Sequence, residues 1–234
     1  MPDFSSLSCR FLEILFPRTC VLCGRSLREE AERNYPLCAS CEAALPGVRG
    51  ERCSLCGKPL ISEQGLCMRC RERSFSFDAA YPLWEYSGPV KELIISYKIG
   101  GFRPLAEFFA SRTLARLREA HPGTPVVPVP FRKSKMRKTG WDQVEDLVRA
   151  LERKGIPVIR CLERAEGASQ KTLDYSARMS NLKGRIRRRN LIRIPERVVL
   201  LDDVLTTGAT LSECARVLKE GGALRVDALV LAAD

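Results

Sequence analysis

The sequence predicts an α/β fold, a parallel sheet flanked by helices, set behind a cysteine-rich amino-terminal module. Three observations predict it. From about Phe77 onward, short β-rich runs alternate with segments of helical period, the order that builds a parallel sheet with helices packed on it. The run Val198-Val-Leu-Leu201 is apolar without alternation, as a strand covered on both faces must be. Eight of the 11 cysteines fall in CxxC pairs within the first third of the 234 residues. The expected division is residues 1–74 for the module and 75–234 for the α/β domain.

The elements follow in order. FDAAYPLW (77–84) reads as the opening strand, GPVKELIISYK (88–98) and FRPLAEFFASRTLARLRE (102–119) as helices, and TPVVPVP (124–130) as a strand. WDQVEDLVRALERKG (141–155) is a helix closed by Gly155, and IPVIRCL (156–162) and RVVLLDD (197–203) are strands. GATLSECARVLKEGG (208–222) is the last helix and LRVDALVLA (224–232) the closing strand. At the amino terminus, Phe4, Leu7, Phe11, Ile14 and Leu15 share one helical face, which predicts a short amphipathic helix docked on the body. Arg10 and Glu13 interrupt what a signal peptide would need as an apolar core, so a cytoplasmic location is expected. No apolar run approaches the roughly 20 residues of a membrane span, and no membrane insertion is expected.

Lys and Arg exceed Asp and Glu by 11, and the surplus is local. Residues 131–197 carry 19 basic and 8 acidic side chains, which accounts for all of it. A cationic surface of this kind suits phosphate, pyrophosphate or nucleic acid, although a solvated, arginine-rich helix face has the same composition.

The pairs are Cys20/Cys23, Cys38/Cys41, Cys53/Cys56 and Cys67/Cys70. A CxxC knuckle turns two thiolates toward one ion, and two knuckles 10 to 20 residues apart complete a tetrahedral zinc site. The block repeats itself, CVLCGR being echoed by CSLCGKP, so two tandem zinc ribbons with two structural Zn2+ are expected. Sequential pairing assigns Cys20, Cys23, Cys38 and Cys41 to one and Cys53, Cys56, Cys67 and Cys70 to the other. Spacing alone leaves crossed pairing open, and a disulfide framework would require a secreted context. Cys214 falls beside Leu211 and Leu218 on an apolar helix face, as a buried inert thiol does. Cys9 and Cys161 also stand alone, and His121, the one histidine, lies in an HPG turn. Catalysis by a Cys/His or Ser/His pair therefore has almost no support.

The most informative segment is VVLLDDVLTTGATL (198–211). A strand ends in Asp202 and Asp203, and a turn then opens a helix beyond the carboxyl end of the strand, where ligands sit in such sheets. Thr206, Thr207, Gly208, Ala209 and Thr210 offer successive N–H groups and three hydroxyls at the positive helix end, the parts of a phosphate cup. An N-capped helix start accounts for the threonines but not for two acids beside an anion site. Ribose 5-phosphate reconciles them, its phosphate in the cup and its hydroxyls donating to the carboxylates.

These residues resemble the phosphoribosyl-pyrophosphate (PRPP) loop of type I phosphoribosyltransferases. The whole chain resembles the ComF family, whose members join a zinc-ribbon amino terminus to such a domain and are linked to DNA uptake in competent bacteria. Segments 96–107, 127–147 and 164–184 lie in the expected order. Where ComF proteins usually read RGFNQ, this chain has Lys138-Thr-Gly-Trp-Asp-Gln143, with Asp142 in place of Asn.

The resemblance implies displacement at the anomeric carbon of PRPP, with Mg2+ arriving on the pyrophosphate. Catalysis comes from charge neutralisation and positioning, without a protein nucleophile. Arg132, Lys133 and Arg137 are expected toward pyrophosphate, with Lys98 a second candidate. The stretch around Gly167 to Lys171 resembles a mobile catalytic loop that brings Arg164, Gln170, Lys171 and Arg178 over the substrate. Three functions share this cup: a PRPP-dependent transferase of unidentified acceptor, a factor that binds single-stranded DNA and acts with competence-machinery proteins, and a PRPP sensor without turnover. The basic run Arg187-Arg-Arg189 suits a strand-tracking groove, whereas Phe131, Trp141 and Tyr175 are few for base stacking.

Overall fold

The computed structural model describes residues 18–27, 35–47, 50–165, 184–189 and 192–234. The amphipathic helix expected over 4–15, and the segment bearing Gln170, Lys171, Tyr175 and Arg178, lie outside these residues.

Six strands are described: β1 (Ala79–Glu85), β2 (Val126–Pro128), β3 (Leu162–Arg164), β4 (Ile186–Arg188), β5 (Arg197–Leu205) and β6 (Arg225–Ala233). Four of them form a parallel sheet in the order β1-β6-β5-β2. Around it lie α1 (Ala39–Ala43) and α2 (Met68–Arg71) in the cysteine module, then α3 (Gly88–Lys98), α4 (Leu105–Ala120), α5 (Lys133–Thr139), α6 (Gln143–Arg153) and α7 (Ala209–Glu220).

Strand alternation divides the core in two. Val199, Leu201, Leu229 and Leu231 face the cluster that holds buried residues of α3, α4 and α6. Val198, Leu200, Val226 and Val230 face the one that holds Leu211, Cys214 and Leu218 of α7. This explains why VVLL shows no period of two: each of its residues is buried, on alternating faces. Cys214 is fully buried among apolar neighbours, as its helical spacing predicts.

Local chemistry places the helix ends. Pro89 occupies the first turn of α3, where its missing N–H is no loss. Asp142 caps α6, its carboxylate accepting from Val144 N at 3.0 Å and Glu145 N at 3.3 Å. Asn caps equally well, so the Asp142-for-Asn exchange preserves this role.

Two expectations need correction. IPVIRCL does not form a full strand: Val158 makes a single parallel bridge to Val126, and the chain then turns into β3. β3 pairs antiparallel with β4 as a separate two-stranded ribbon, with Leu162 opposite Arg188. TPVVPVP contributes only three residues to the sheet, because Pro125, Pro128 and Pro130 lack the N–H a longer ladder needs. Helix α5, the cationic KSKMRKT, was not among the expected elements; it buries no residue and so lacks the apolar stripe by which helices are recognised.

Candidate functional site

The cysteines assemble as two sequential quartets, Cys20/Cys23/Cys38/Cys41 and Cys53/Cys56/Cys67/Cys70, each with its sulfurs within 4.8 Å of one another. Crossed pairing is thereby excluded. Cys23 and Cys38 sulfurs lie 3.8 Å apart, and Cys56 and Cys67 sulfurs 3.7 Å. Tetrahedral thiolates at about 2.3 Å from a zinc ion would stand about 3.8 Å from one another, so the quartets fit such an ion and leave it no open ligand position. The second quartet lies under β1: Ala80 N donates to Leu55 O at 2.7 Å, inside the CSLC knuckle.

The glycine-threonine turn lies where the strand order predicts. β2 ends at Pro128 opposite Leu201, and Val129 N still donates to Leu201 O at 2.9 Å. The chain thus leaves β2 level with Asp202, at the carboxyl edge of the sheet. Three residues, Thr206 to Gly208, separate β5 from α7. Gly208 adopts φ +78°, which disfavours any side chain, and a Cβ there would meet the Phe75 ring at 2.6 Å. The first intrahelical bond of α7 runs from Ser212 N to Gly208 O at 2.8 Å. Helix geometry therefore leaves the N–H groups of Thr210 and Leu211 without intrahelical acceptors, directed outward at the positive end of the helix.

Asp202 and Asp203 are neighbours on a strand and so point to opposite faces of the sheet. Asp203 turns to the α3/α6 side and is buried. Lys98 Nζ lies 2.7 Å from its Oδ2, and Gln143 Nε2 donates to the same oxygen at 2.6 Å. Burial works against the charge on Lys98, but the Asp203 carboxylate outweighs it and holds the lysine pKa above its ordinary value. Asp202 turns to the α7 side and keeps partial exposure. Its pKa is pushed up to about 8, first by desolvation and then by the charge of Asp203. The two acids therefore do not form one free pair, and Lys98, expected toward pyrophosphate, is here paired with Asp203.

Arg164, at the end of β3, lies within electrostatic reach of Asp202, Arg132 and Arg185. Desolvation, followed by repulsion from Arg132, lowers its pKa. It also lines a cleft of about 440 Å³, counting the open mouth, with Pro130, Phe131, Lys133 and Arg189 on its walls. Arg160 in the same wall is neutralised by Glu145 and Glu152, with N–O distances of 2.9 and 2.6 Å. Arg132, at the N-cap of α5 between the cleft residues Phe131 and Lys133, and Arg137, in its last turn, are both exposed.

Sequence reasoning missed three contacts around these residues. Lys135 reaches Gln143 Oε1 and lies 3.5 Å from Asp142, so Gln143 links it to Asp203. Arg103 binds Asp146 through two nitrogens at 2.6 and 3.0 Å, bracing the segment after α3 against α6. Arg69, from the second cysteine knuckle, donates to Thr206 O at 2.6 Å. The alternating basic residues of KSKMRKT were a signal for the first, whereas the other two join positions distant in sequence.

The double zinc ribbon domain family matches residues 11–71. The competence protein ComFC of Streptococcus pneumoniae is 27% identical over 87% of this chain and 94% of its own length. The DNA utilization protein YhgH of Escherichia coli is 26% identical over 90% and 94%. Competence protein F of Haemophilus influenzae is 28% identical over 80% and 85%. A solved hypoxanthine phosphoribosyltransferase of Trypanosoma cruzi covers 55% of this chain and 62% of its own, at 17% identity and a TM-score of 0.35.

Proposed function

The chain is a distant member of the ComF family, and from that premise we propose that its α/β domain binds PRPP or a related ribose phosphate in a pathway of DNA uptake or utilization. The observation that carries the reading is the Thr206–Thr210 turn at the carboxyl edge of the sheet, beside the half-buried Asp202 and the cation Arg164. N–H groups and hydroxyls there match a phosphate, and a carboxylate with a raised pKa matches the hydroxyls of the adjoining sugar.

The chemistry of this site is transfer at the anomeric carbon. As pyrophosphate departs, the ribose ring would gain positive character, which an ionised Asp202 would stabilise. Arg132, Arg164 and Lys133 neutralise the leaving group, and Arg137 extends that cationic rim. Asp203 plays a different part: it holds Lys98 of α3 and Gln143 of α6 on the opposite face of the sheet. Mg2+ fits this donor set as an ion held chiefly by pyrophosphate and water, where it would offset the leaving charge. The two quartets would hold zinc in a structural role.

A second reading has its own support: Arg187, Arg188 and Arg189 are all exposed along and beyond β4. They lead away from the cleft as a track for single-stranded DNA, whose binding should fall steeply with salt. Calorimetric titration with PRPP and Mg2+ tests the first reading. The expected result is saturable binding that Asp202→Asn weakens at least tenfold, with pyrophosphate release once the right acceptor is supplied. Unchanged affinity in that variant overturns the ribose assignment. Single-stranded DNA that competes for the same site would favour the second reading.

A further inference from the structure

The second ribbon and the residues just beyond it touch the Thr206–Thr210 turn and the first turn of α7 at three points. Arg69 lies between Cys67 and Cys70 on α2, and its Nη1 donates to Thr206 O at 2.6 Å. Phe75, just beyond the ribbon, packs on Gly208 and stacks on Phe77 with ring centroids 4.9 Å apart. Ser76 N donates to Ser212 Oγ in the first turn of α7 at 3.0 Å. Within the turn itself, Ala209 N reaches Thr207 Oγ1 only at 3.4 Å.

Arg69 is placed at a cost to itself. Its Nε is buried without a hydrogen-bond partner among the described residues, a penalty that an arginine kept only for surface solvation would not carry. Its charged donor on a backbone carbonyl is the strong kind of hydrogen bond, and that carbonyl belongs to the first residue after β5. The bond leaves the N–H groups of the turn free for an anion.

The base of this strut is rigid. Two ligands of the second quartet flank Arg69, and the opposite knuckle is fastened to β1 by the Ala80 to Leu55 hydrogen bond. The first ribbon is fastened elsewhere: it meets α4 through the Arg112–Glu42 ion pair and the far end of β1 through the Gly47–Trp84 bridge.

We infer that Arg69 is a positioning residue for the phosphate turn, and that occupancy of the Cys53/Cys56/Cys67/Cys70 quartet sets the turn's affinity for phosphate esters. The phosphate half rests on the proposed PRPP reading, whereas the positioning half rests on geometry alone.

The test compares Arg69→Ala with Arg112→Ala in the full zinc-loaded chain. Zinc content is counted by native mass spectrometry, amide exchange is followed over residues 204–212, and PRPP with Mg2+ is titrated calorimetrically. In Arg69→Ala, amide exchange over 204–212 is expected to accelerate and PRPP affinity to fall about tenfold, with two zinc ions retained. Arg112→Ala should leave both readouts unchanged. Arg69→Lys, which keeps one donor, should restore part of the protection and stands in should the alanine variant not fold. Unaltered exchange at 204–212 in a zinc-replete Arg69 variant overturns the inference. Faster exchange in a chain whose wild type shows no PRPP binding sustains the positioning role while removing the phosphate reading.

Discussion

The two cysteine ribbons are near repeats in sequence, yet they are attached to different parts of the molecule. The first packs its buried Cys20 and Cys38 into the cluster that holds Phe108 of α4, away from the turn at the end of β5. The second contributes all four of its cysteines to the α7 side of the core and reaches the turn directly. Equal metal chemistry thus has unequal consequences, because what a structural ion governs is set by what its ribbon leans on.

Breaking each quartet should expose the contrast at its largest. Cys67→Ser should release the second ion, destabilise the chain by several kcal/mol and abolish ligand binding, since structural zinc binding is itself folding free energy of about 10 kcal/mol or more. Cys38→Ser should release the first ion and lower the melting temperature, with PRPP affinity in the surviving folded fraction close to wild type. Metal content, thermal melts and titration at a temperature below both transitions would measure this. Equal loss of affinity in the two variants would erase the distinction.

A sharper version uses the knuckle glycines. Gly24 and Gly57 both have positive φ, +72° and +69°. A Cβ on Gly24 would meet nothing within 4 Å, whereas one on Gly57 would lie 2.3 Å from Pro82 Cδ and 2.5 Å from Ala80 O. Gly24→Ala should therefore cost only backbone strain, about 1 kcal/mol. Gly57→Ala adds a clash with β1 and should cost roughly 3 kcal/mol. Denaturant unfolding of both variants measures the difference, which reports how tightly the second ribbon is packed against β1.

Much of this was legible in the residues. CxxC spacing and the repeat of CVLCGR as CSLCGKP gave the sequential quartets, because knuckle geometry is local. Helix α3 spans the predicted Gly88 to Lys98, since an apolar stripe and a proline at the first turn are also local signals. The acids and the turn at 202–210 were found for the same reason. What sequence could not show was partnership across distance: Arg69 and Thr206 are 137 residues apart, and nothing near either names the other. The opposed directions of Asp202 and Asp203 follow from strand period, but only once β5 is known to run on to Leu205 instead of stopping at the acids. IPVIRCL has strand composition, and its escape from the sheet is decided by the pairing of β3 with β4.

Asp203 is paired with Lys98 and Gln143, whereas Asp202 turns to the α7 side of the sheet. A carboxyl whose folded pKa stands near 8 binds its proton more tightly folded than unfolded. The stability it contributes is full below about pH 4 and is lost as pH rises toward 8. Asp202→Asn should accordingly stabilise the ligand-free chain by about 1–2 kcal/mol at pH 8 and by almost nothing at pH 4. On the proposed reading, PRPP with Mg2+ would prefer the ionised carboxylate, so wild-type affinity should rise with pH between 6 and 8, and binding near pH 7 should release a proton. Titrations in two buffers of different ionisation enthalpy read that proton, and urea melts at the two pH values read the stability. Asp203→Asn gives the opposite sign, because it leaves Lys98 partly buried without its counter-charge and destabilises the chain. Equal and destabilising effects from the two substitutions would show that both carboxylates serve the fold, and the division of labour between the faces of β5 would fail.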